Sequence, residues 1–226
     1  MKRAPILSSI LGLTLLFLAY CGYLISKPDS DVTFVRNVPS TLTPQALGKS
    51  VALLQDWPLW HHEMTSAELL DGRGQPYSRR DQMLNASSQG GLVLLKIENP
   101  QKQWKRFELT AKIVEYRPDQ LIHLKLLRDS KNKITQLFDT LEWKIEFLPL
   151  DPADASPRNK GKDITLVRGT VIGHTDHWRG RLFCGLTPRI IMNQVLNADL
   201  VKLATVDQEL ALKAQAEPKA AEQTHN

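Results

Sequence analysis

Residues 55–64 read QDWPLWHHEM, with Trp57 and Trp60 on either side of a proline and a leucine and two adjacent histidines directly after them. The tryptophans are candidates for anchors of a core or for the lining of a site. His61 and His62 are candidates for metal ligands, catalytic groups or surface residues. Adjacent residues of a strand point to opposite faces, so the sequence predicts that the two histidines do not serve one site and that one of them is exposed.

The segments around this stretch predict an ordered series of elements. Thr43 predicts the N-cap of a short amphipathic helix that has Pro44 in its first turn and ends near Pro58. One strand is predicted before this helical passage, and six strands and a long helix after it. The strands are predicted at residues 32–38, 63–70, 91–99, 105–118, 120–129, 134–150 and 163–175, with a polar excursion at 71–91 and a loop at 151–163.

The last helix is predicted from residue 188 to about residue 212, with Ile191, Val195 and Ala198 on its apolar face. An apolar face of this kind is expected to be buried against another element. The strand at 134–150 has a matching apolar face, because Leu141, Trp143, Ile145 and Phe147 alternate with charged residues along it. We expect this strand face and the helix to pack together.

The N-terminal segment predicts a membrane anchor. Residues 5–26 contain no charged residue, and Lys2 and Arg3 precede them. An uncleaved anchor is favoured over a cleaved signal peptide and over a lipid attached at Cys21. The positive-inside rule places residues 1–4 in the cytoplasm and the rest outside it, on the periplasmic or extracellular side. The predicted organisation continues with a linker at 27–31, a domain at 32–213 and an unstructured tail at 214–226.

The charge distribution argues against nucleic-acid binding, and the cysteine content argues against an intrachain disulfide. The formal net charge is +5 and the pI about 9.2, but the basic residues are scattered among acidic ones. Nucleic-acid binding is therefore not predicted, since it usually needs a basic face or a recognisable module. An intrachain disulfide is not predicted either, because the two cysteines are Cys184 and Cys21, and Cys21 lies in the apolar span.

A second group of histidines lies in GHTDHWRGR, where His174, Asp176 and His177 carry atoms that can bind zinc. The spacing lacks a helical His-x-x-x-His pair and needs further ligands from elsewhere. The segment is interpreted as a polar turn before the last helix, with Trp178 covering the end of the sheet. The sequence assigns no metal and no cofactor.

Catalytic groups are sought on the predicted strands. Asp139 is in register with Leu137 and Leu141, so it is a candidate to point inward and pair with Arg168. A structural ion pair is favoured over a catalytic dyad or a handle for a ligand. The other candidates that could face an interior are His123, Glu115 and Tyr116. No Ser/His/Asp order, phosphate-binding glycine loop or Cys-x-x-Cys site is evident, so no catalytic residue is assigned.

The order of elements resembles that of the START-like helix-grip superfamily, which includes polyketide cyclase/dehydrase and lipid-transport proteins and the birch-pollen-allergen group. The resemblance covers about residues 32–211. QDWPLWHH resembles the recurrent passage D-x-x-x-W-P-x-W, although Asp56 here directly precedes Trp57. DITLVRGTVIG resembles the strand with Gly-Thr near its start, although Gly169 and Thr170 lie in mid-strand here. The long terminal helix is the third marker.

This resemblance implies an α+β fold in which a strongly bent antiparallel sheet wraps around the C-terminal helix and leaves a cavity between them. It implies that Trp57 is a packing anchor and that Trp60 leans into the cavity. The expected ligand-binding residues are Trp60, His123, Asp139, Trp143, Arg168 and Ala198. The expected function is a membrane-anchored domain that binds a hydrophobic small molecule or lipid. The alternatives are a ligand-free scaffold for protein contacts at the membrane and a cyclase- or dehydrase-like enzyme.

Overall fold

The structure is a computed structural model that describes residues 4–26, 30–78, 82–98, 106–132, 134–150, 164–186 and 194–206, with side chains throughout except at 4–12 and 30. The predicted loop at 151–163 and the predicted tail at 214–226 lie outside the described residues. The helices are α1 (Ala4–Ser26), α2 (Pro44–Ala52), α3 (Trp57–Trp60), α4 (Trp178–Leu186) and α5 (194–206). The strands are β1 (Ser30–Ser40), β2 (Met64–Leu70), β3 (Leu92–Ile97), β4 (Phe107–Arg117), β5 (Leu121–Asp129), β6 (Thr140–Pro149) and β7 (Thr165–Thr175).

The seven strands form one antiparallel sheet in the order β1-β7-β6-β5-β4-β3-β2. From β2 to β7 the chain is a meander, and β1 pairs with β7 at the far edge. The passage that holds α2 and α3 therefore crosses from one edge of the sheet to the other. All seven predicted strands are confirmed.

Two predicted boundaries change for physical reasons. The strand predicted at 134–150 begins only at Thr140, because the Asp129 carboxylate accepts hydrogen bonds from the backbone N–H groups of Ile134 and Thr135 and holds that segment in turns. The helix predicted from Thr43 to near Pro58 is broken after α2. The N-cap at Thr43 is confirmed, because its side chain accepts a hydrogen bond from the Ala46 N–H.

Helix α5 packs on the sheet, as predicted, but with a different face. Leu196, Leu200 and Leu203 are at most 6% exposed, a spacing of three to four residues that defines the inward side. Ala198 is exposed, so the prediction that it lies on the inward face is wrong. The contact with β7 is close, since a Cβ atom at Gly169 would lie 2.8 Å from Leu200 Cδ1.

The segment after β7 also differs from the prediction. The polar turn predicted up to the last helix instead leads into α4, which begins at Trp178. Trp178 is 50% exposed there, so it does not cover the end of the sheet as predicted. Helix α4 contacts the end of α1, where Leu24 is buried beside Gly185.

Within the described residues, no helix is both long enough and apolar enough to cross a membrane. The structure has a helix, α1, at the place of the transmembrane helix predicted at 5–26.

Candidate functional site

An apolar cavity of about 220 Å³ lies between the sheet and α5. Its walls come from both halves of the sheet and from the inward face of the helix. Residues that line it include Leu95, Leu109, Leu124, Leu141, Val171 and Leu196. Cavities of this kind, with apolar walls and a few placed polar groups, are the usual form of a small-molecule site.

One end of the cavity is polar and is formed by His61, His62 and Asp199. The His62 ring and the Asp199 carboxylate are joined by a 2.7 Å contact between Nδ1 and Oδ1, and the His62 backbone N–H donates to the same oxygen at 3.0 Å. His61 Nε2 lies 3.8 Å from Asp199 Oδ2. Asp199 is only 5% exposed, so its negative charge is held in the interior by these contacts.

Both histidines contact Asp199, contrary to the prediction that they do not serve one site, whereas the prediction that one of them is exposed is confirmed by His62. They lie in the turn between α3 and β2 rather than on a strand, so the alternation of strand side chains does not apply to them. Their rings stack with centroids 5.8 Å apart and planes 8° apart. Both rings consequently reach Asp199 from the same side of the turn.

Burial decides the charge of His61. Loss of hydration lowers the pKa of its imidazole below the ordinary value, and the nearby Asp199 carboxylate opposes this shift without reversing it. The His61 Nδ1 atom is buried and has no hydrogen-bond partner among the described residues. Burial thus favours the neutral form of the His61 imidazole, whose Nδ1 atom has unused hydrogen-bonding capacity and which lies beside a buried carboxylate.

The two tryptophans that precede the histidines are packed in the core next to the site. Trp57 and Trp60 are fully buried, and both rings contact Trp143, at centroid distances of 5.9 and 5.8 Å. Trp57 Nε1 donates a 2.8 Å hydrogen bond to the Val51 carbonyl, whereas Trp60 Nε1 has no partner in the described part of the chain. Trp57 is therefore an anchor, as predicted. Trp143 lines the cavity, but Trp60 does not.

The other predicted site residues lie away from the cavity. His123 pairs with Glu142 at 2.9 Å, on the sheet face opposite to Leu124. The expected pair of Asp139 and Arg168 does not form, since Asp139 is exposed at the end of the sheet and Arg168 donates to Asn37.

The predicted group of His174, Asp176 and His177 does not converge on one point. His174 contacts Asp31 at 2.6 Å and His177 contacts Asp139 at 3.1 Å, so the two rings serve different carboxylates. Among the described residues, the group of three potential metal ligands with atoms within 4.8 Å of one another is instead His61, His62 and Asp199.

The missed residue of the site is Asp199. It lies within the buried stripe of α5, between Leu196 and Leu200 and ahead of Leu203. A single carboxylate inside an apolar helical stripe is a signal that the sequence carries, because a buried charge needs a partner.

Comparisons with known proteins identify solved structures with a similar fold. No protein-family model and no curated protein sequence matches the chain. Among solved structures, norcoclaurine synthase from Thalictrum flavum is similar with a TM-score of 0.52 and 11% identity, over 80% of this chain and 96% of that one. The major latex-like protein 151 of Panax ginseng is similar with a TM-score of 0.51 and 7% identity, over 79% of this chain and 97% of that one.

The chain has the same fold as these structures, and it is the helix-grip fold. The predicted α+β helix-grip fold is thereby confirmed, as a seven-stranded antiparallel sheet with a C-terminal helix. A second structure of the Thalictrum flavum enzyme, with a TM-score of 0.51 and 12% identity over 80% of this chain and 89% of that one, is in complex with dopamine and hydroxybenzaldehyde. At these identities the likeness concerns the fold alone.

Proposed function

We propose that the START-like domain binds a small hydrophobic molecule in the cavity between the sheet and α5, with a polar group of the ligand at His61, His62 and Asp199. The observation that carries this proposal is an apolar cavity that is closed at one end by a buried carboxylate and two imidazoles. Apolar walls supply affinity, and the polar groups orient the ligand.

The volume sets the size of the ligand. Drug-sized ligands occupy cavities of roughly 300–1,000 Å³, and an apolar cavity of about 150 Å³ holds benzene. The cavity here, at about 220 Å³, fits a ligand built on a single ring or a short chain better than a full-length lipid. The cavity volume therefore favours small molecules over lipids, both of which were in the expected ligand class.

A pair of alanines provides a matched test in the full-length chain. Ala111 lines the cavity and is 3% exposed, whereas Ala198 is exposed on α5. Leucine at position 111 fills the cavity, while leucine at position 198 extends into solvent. The probe is 4-nitrophenol, a single ring with a polar group, with binding measured by isothermal titration calorimetry.

We expect wild type and Ala198→Leu to bind the probe equally, and Ala111→Leu to bind it at least about tenfold more weakly, the equivalent of about 1.4 kcal/mol. Circular dichroism checks that each variant is folded. Equal affinity in the two variants, or no binding to wild type, would refute the proposal and favour the scaffold for protein contacts. Native mass spectrometry of the purified chain then identifies any ligand that co-purifies.

We also propose that residues 5–26 hold this domain at a membrane, with the domain outside the cytoplasm. The support is the sequence alone, namely an uncharged segment that follows Lys2 and Arg3. Reporter fusions at the C-terminus test the orientation, and a reporter signal from the cytoplasm alone would reject it.

A further inference from the structure

We infer that His61, His62 and Asp199 form a binding site for a divalent transition-metal ion at the polar end of the cavity. One potential ligand atom from each residue lies within 4.8 Å of the other two. Two imidazole nitrogens and one carboxylate oxygen are a ligand set that binds Zn²⁺ and Fe²⁺ in proteins. The inference stands on these three side chains and does not depend on occupation of the cavity by an apolar ligand.

The distances are close to those that a metal ion requires. Zinc binds nitrogen and oxygen ligands at about 2.0–2.2 Å, so two ligand atoms of a tetrahedral site lie about 3.3–3.5 Å apart. His61 Nε2 and Asp199 Oδ2 are 3.8 Å apart, and His62 Nδ1 and Asp199 Oδ1 are 2.7 Å apart. These two distances differ from the coordinated spacing by less than about 1 Å.

Asp199 is arranged so that one of its oxygens remains available. Oδ1 accepts a hydrogen bond from the His62 backbone N–H and contacts the His62 ring. Oδ2 faces His61 at a distance that is too long for a hydrogen bond. The hydrogen bond from the His62 backbone N–H orients the carboxylate, in the manner of the outer hydrogen bonds that orient ligands in metal sites, and directs Oδ1 toward His62 Nδ1 and Oδ2 toward His61 Nε2.

His61 has a ring nitrogen that is available to bind an ion. Among the described residues, the contact given for Nε2 is the one with Asp199 Oδ2 at 3.8 Å, which is too long for a hydrogen bond. The other ring nitrogen, Nδ1, is buried and has no hydrogen-bond partner among the described residues.

The surrounding charges favour a cation. Two carboxylates, those of Asp199 and Glu63, act on His61 electrostatically and favour positive charge there, and His62 and Lys202 oppose them. Three protein ligands leave a fourth position open, as in zinc sites that keep a place for water or substrate. Since the three ligands line the cavity, this position is accessible to a molecule bound there.

The test is zinc binding to the full-length chain, freed of metal with a chelator and titrated with Zn²⁺ by calorimetry. We expect one ion per chain in the wild type. Asp199→Asn preserves the shape of the side chain and removes its charge. Because loss of a group that only supports a ligand already costs about 10–100-fold in affinity, loss of the ligand itself is expected to cost at least about 100-fold.

The matched control is Asp176→Asn, which alters the other group of histidines and aspartates, where Asp176 Oδ1 lies 3.4 Å from His174 Nε2. This variant is expected to bind zinc as the wild type does. Should Asp199→Asn fail to fold, His61→Gln takes its place, with the same loss expected. Absence of zinc binding in the wild type, or unchanged affinity in the variants of Asp199 and His61, would overturn the inference. Parallel 4-nitrophenol titrations of the metal-free wild type report on the apolar cavity separately.

Discussion

Replacement of Trp57 by alanine tests how the helical passage is fastened to the sheet. The Trp57 side chain is fully buried between α2 and Trp143, and its indole N–H donates to the Val51 carbonyl. Val51 belongs to the last turn of α2, where carbonyl groups lack partners within the helix. Trp57 therefore supplies both apolar burial and a hydrogen bond for the end of that helix.

The magnitude follows from these two contributions. A buried tryptophan removes about 150–250 Å² from water, which corresponds to about 4–6 kcal/mol at 25 cal/mol/Å² as an upper estimate. Measured substitutions of core aromatic residues by alanine cost about 3–5 kcal/mol. We expect Trp57→Ala to lower the free energy of unfolding by about 3–5 kcal/mol, measured by urea denaturation of the full-length chain.

Phenylalanine variants separate burial from hydrogen bonding. Trp57→Phe keeps an aromatic ring but leaves the Val51 carbonyl without its donor, so it is expected to cost at least about 1–3 kcal/mol. Trp60→Phe removes an indole N–H that has no partner among the described residues, so its cost is expected to be smaller than that of Trp57→Phe. Trp178→Ala, at an exposed position, is expected to change stability by less than about 0.5 kcal/mol.

The reasoning is refuted if Trp57→Ala costs less than about 1 kcal/mol, because the side chain would then lie at the surface. It is refuted in part if Trp60→Phe costs as much as Trp57→Phe, because the hydrogen bond to Val51 would then carry no weight.

Two further predictions concern packing and pH. Gly180→Ala would place a Cβ atom within 1.9 Å of the Leu137 carbonyl oxygen, so we expect a loss of at least about 1–3 kcal/mol in urea denaturation. Gly72→Ala, with no atom within 4 Å of its Cβ, serves as the control and is expected to be neutral or stabilising. Equal losses in the two variants would show that Gly180 does not pack against Leu137. Because the pKa of His61 is lowered on folding from 6.5, the unfolded chain binds the proton first as the pH falls. The free energy of unfolding of the metal-free protein should therefore be at its full value above pH 6.5 and should decrease as the pH falls below that value towards the pKa of His61 in the folded state. In His61→Gln the decrease over the same pH range should be smaller.

The fold was largely predictable because its signals are local. Alternation of apolar and charged residues around Trp143 and Ile145 indicated a strand with one buried face. This pattern can be recognised without knowing which strands pair with it. The N-cap at Thr43 was predictable for the same reason, since the cap and the N–H that it binds are three residues apart. The order of such elements then indicated the fold.

The sequence also indicated that Trp57 is an anchor, and it drew attention to His61 and His62, but it did not assemble the site. His62 and Asp199 are 137 residues apart, and no local pattern links them. The turn at His61 and His62 overrode the strand-like alternation that predicted opposite orientations. The rotation of α5 was likewise undetermined, because both Ala198 and Leu200 belong to plausible apolar stripes, and a shift of one position turns a helix by about 100°. Only packing against β7, where Gly169 admits Leu200, selects the rotation that buries Asp199 beside the two histidines.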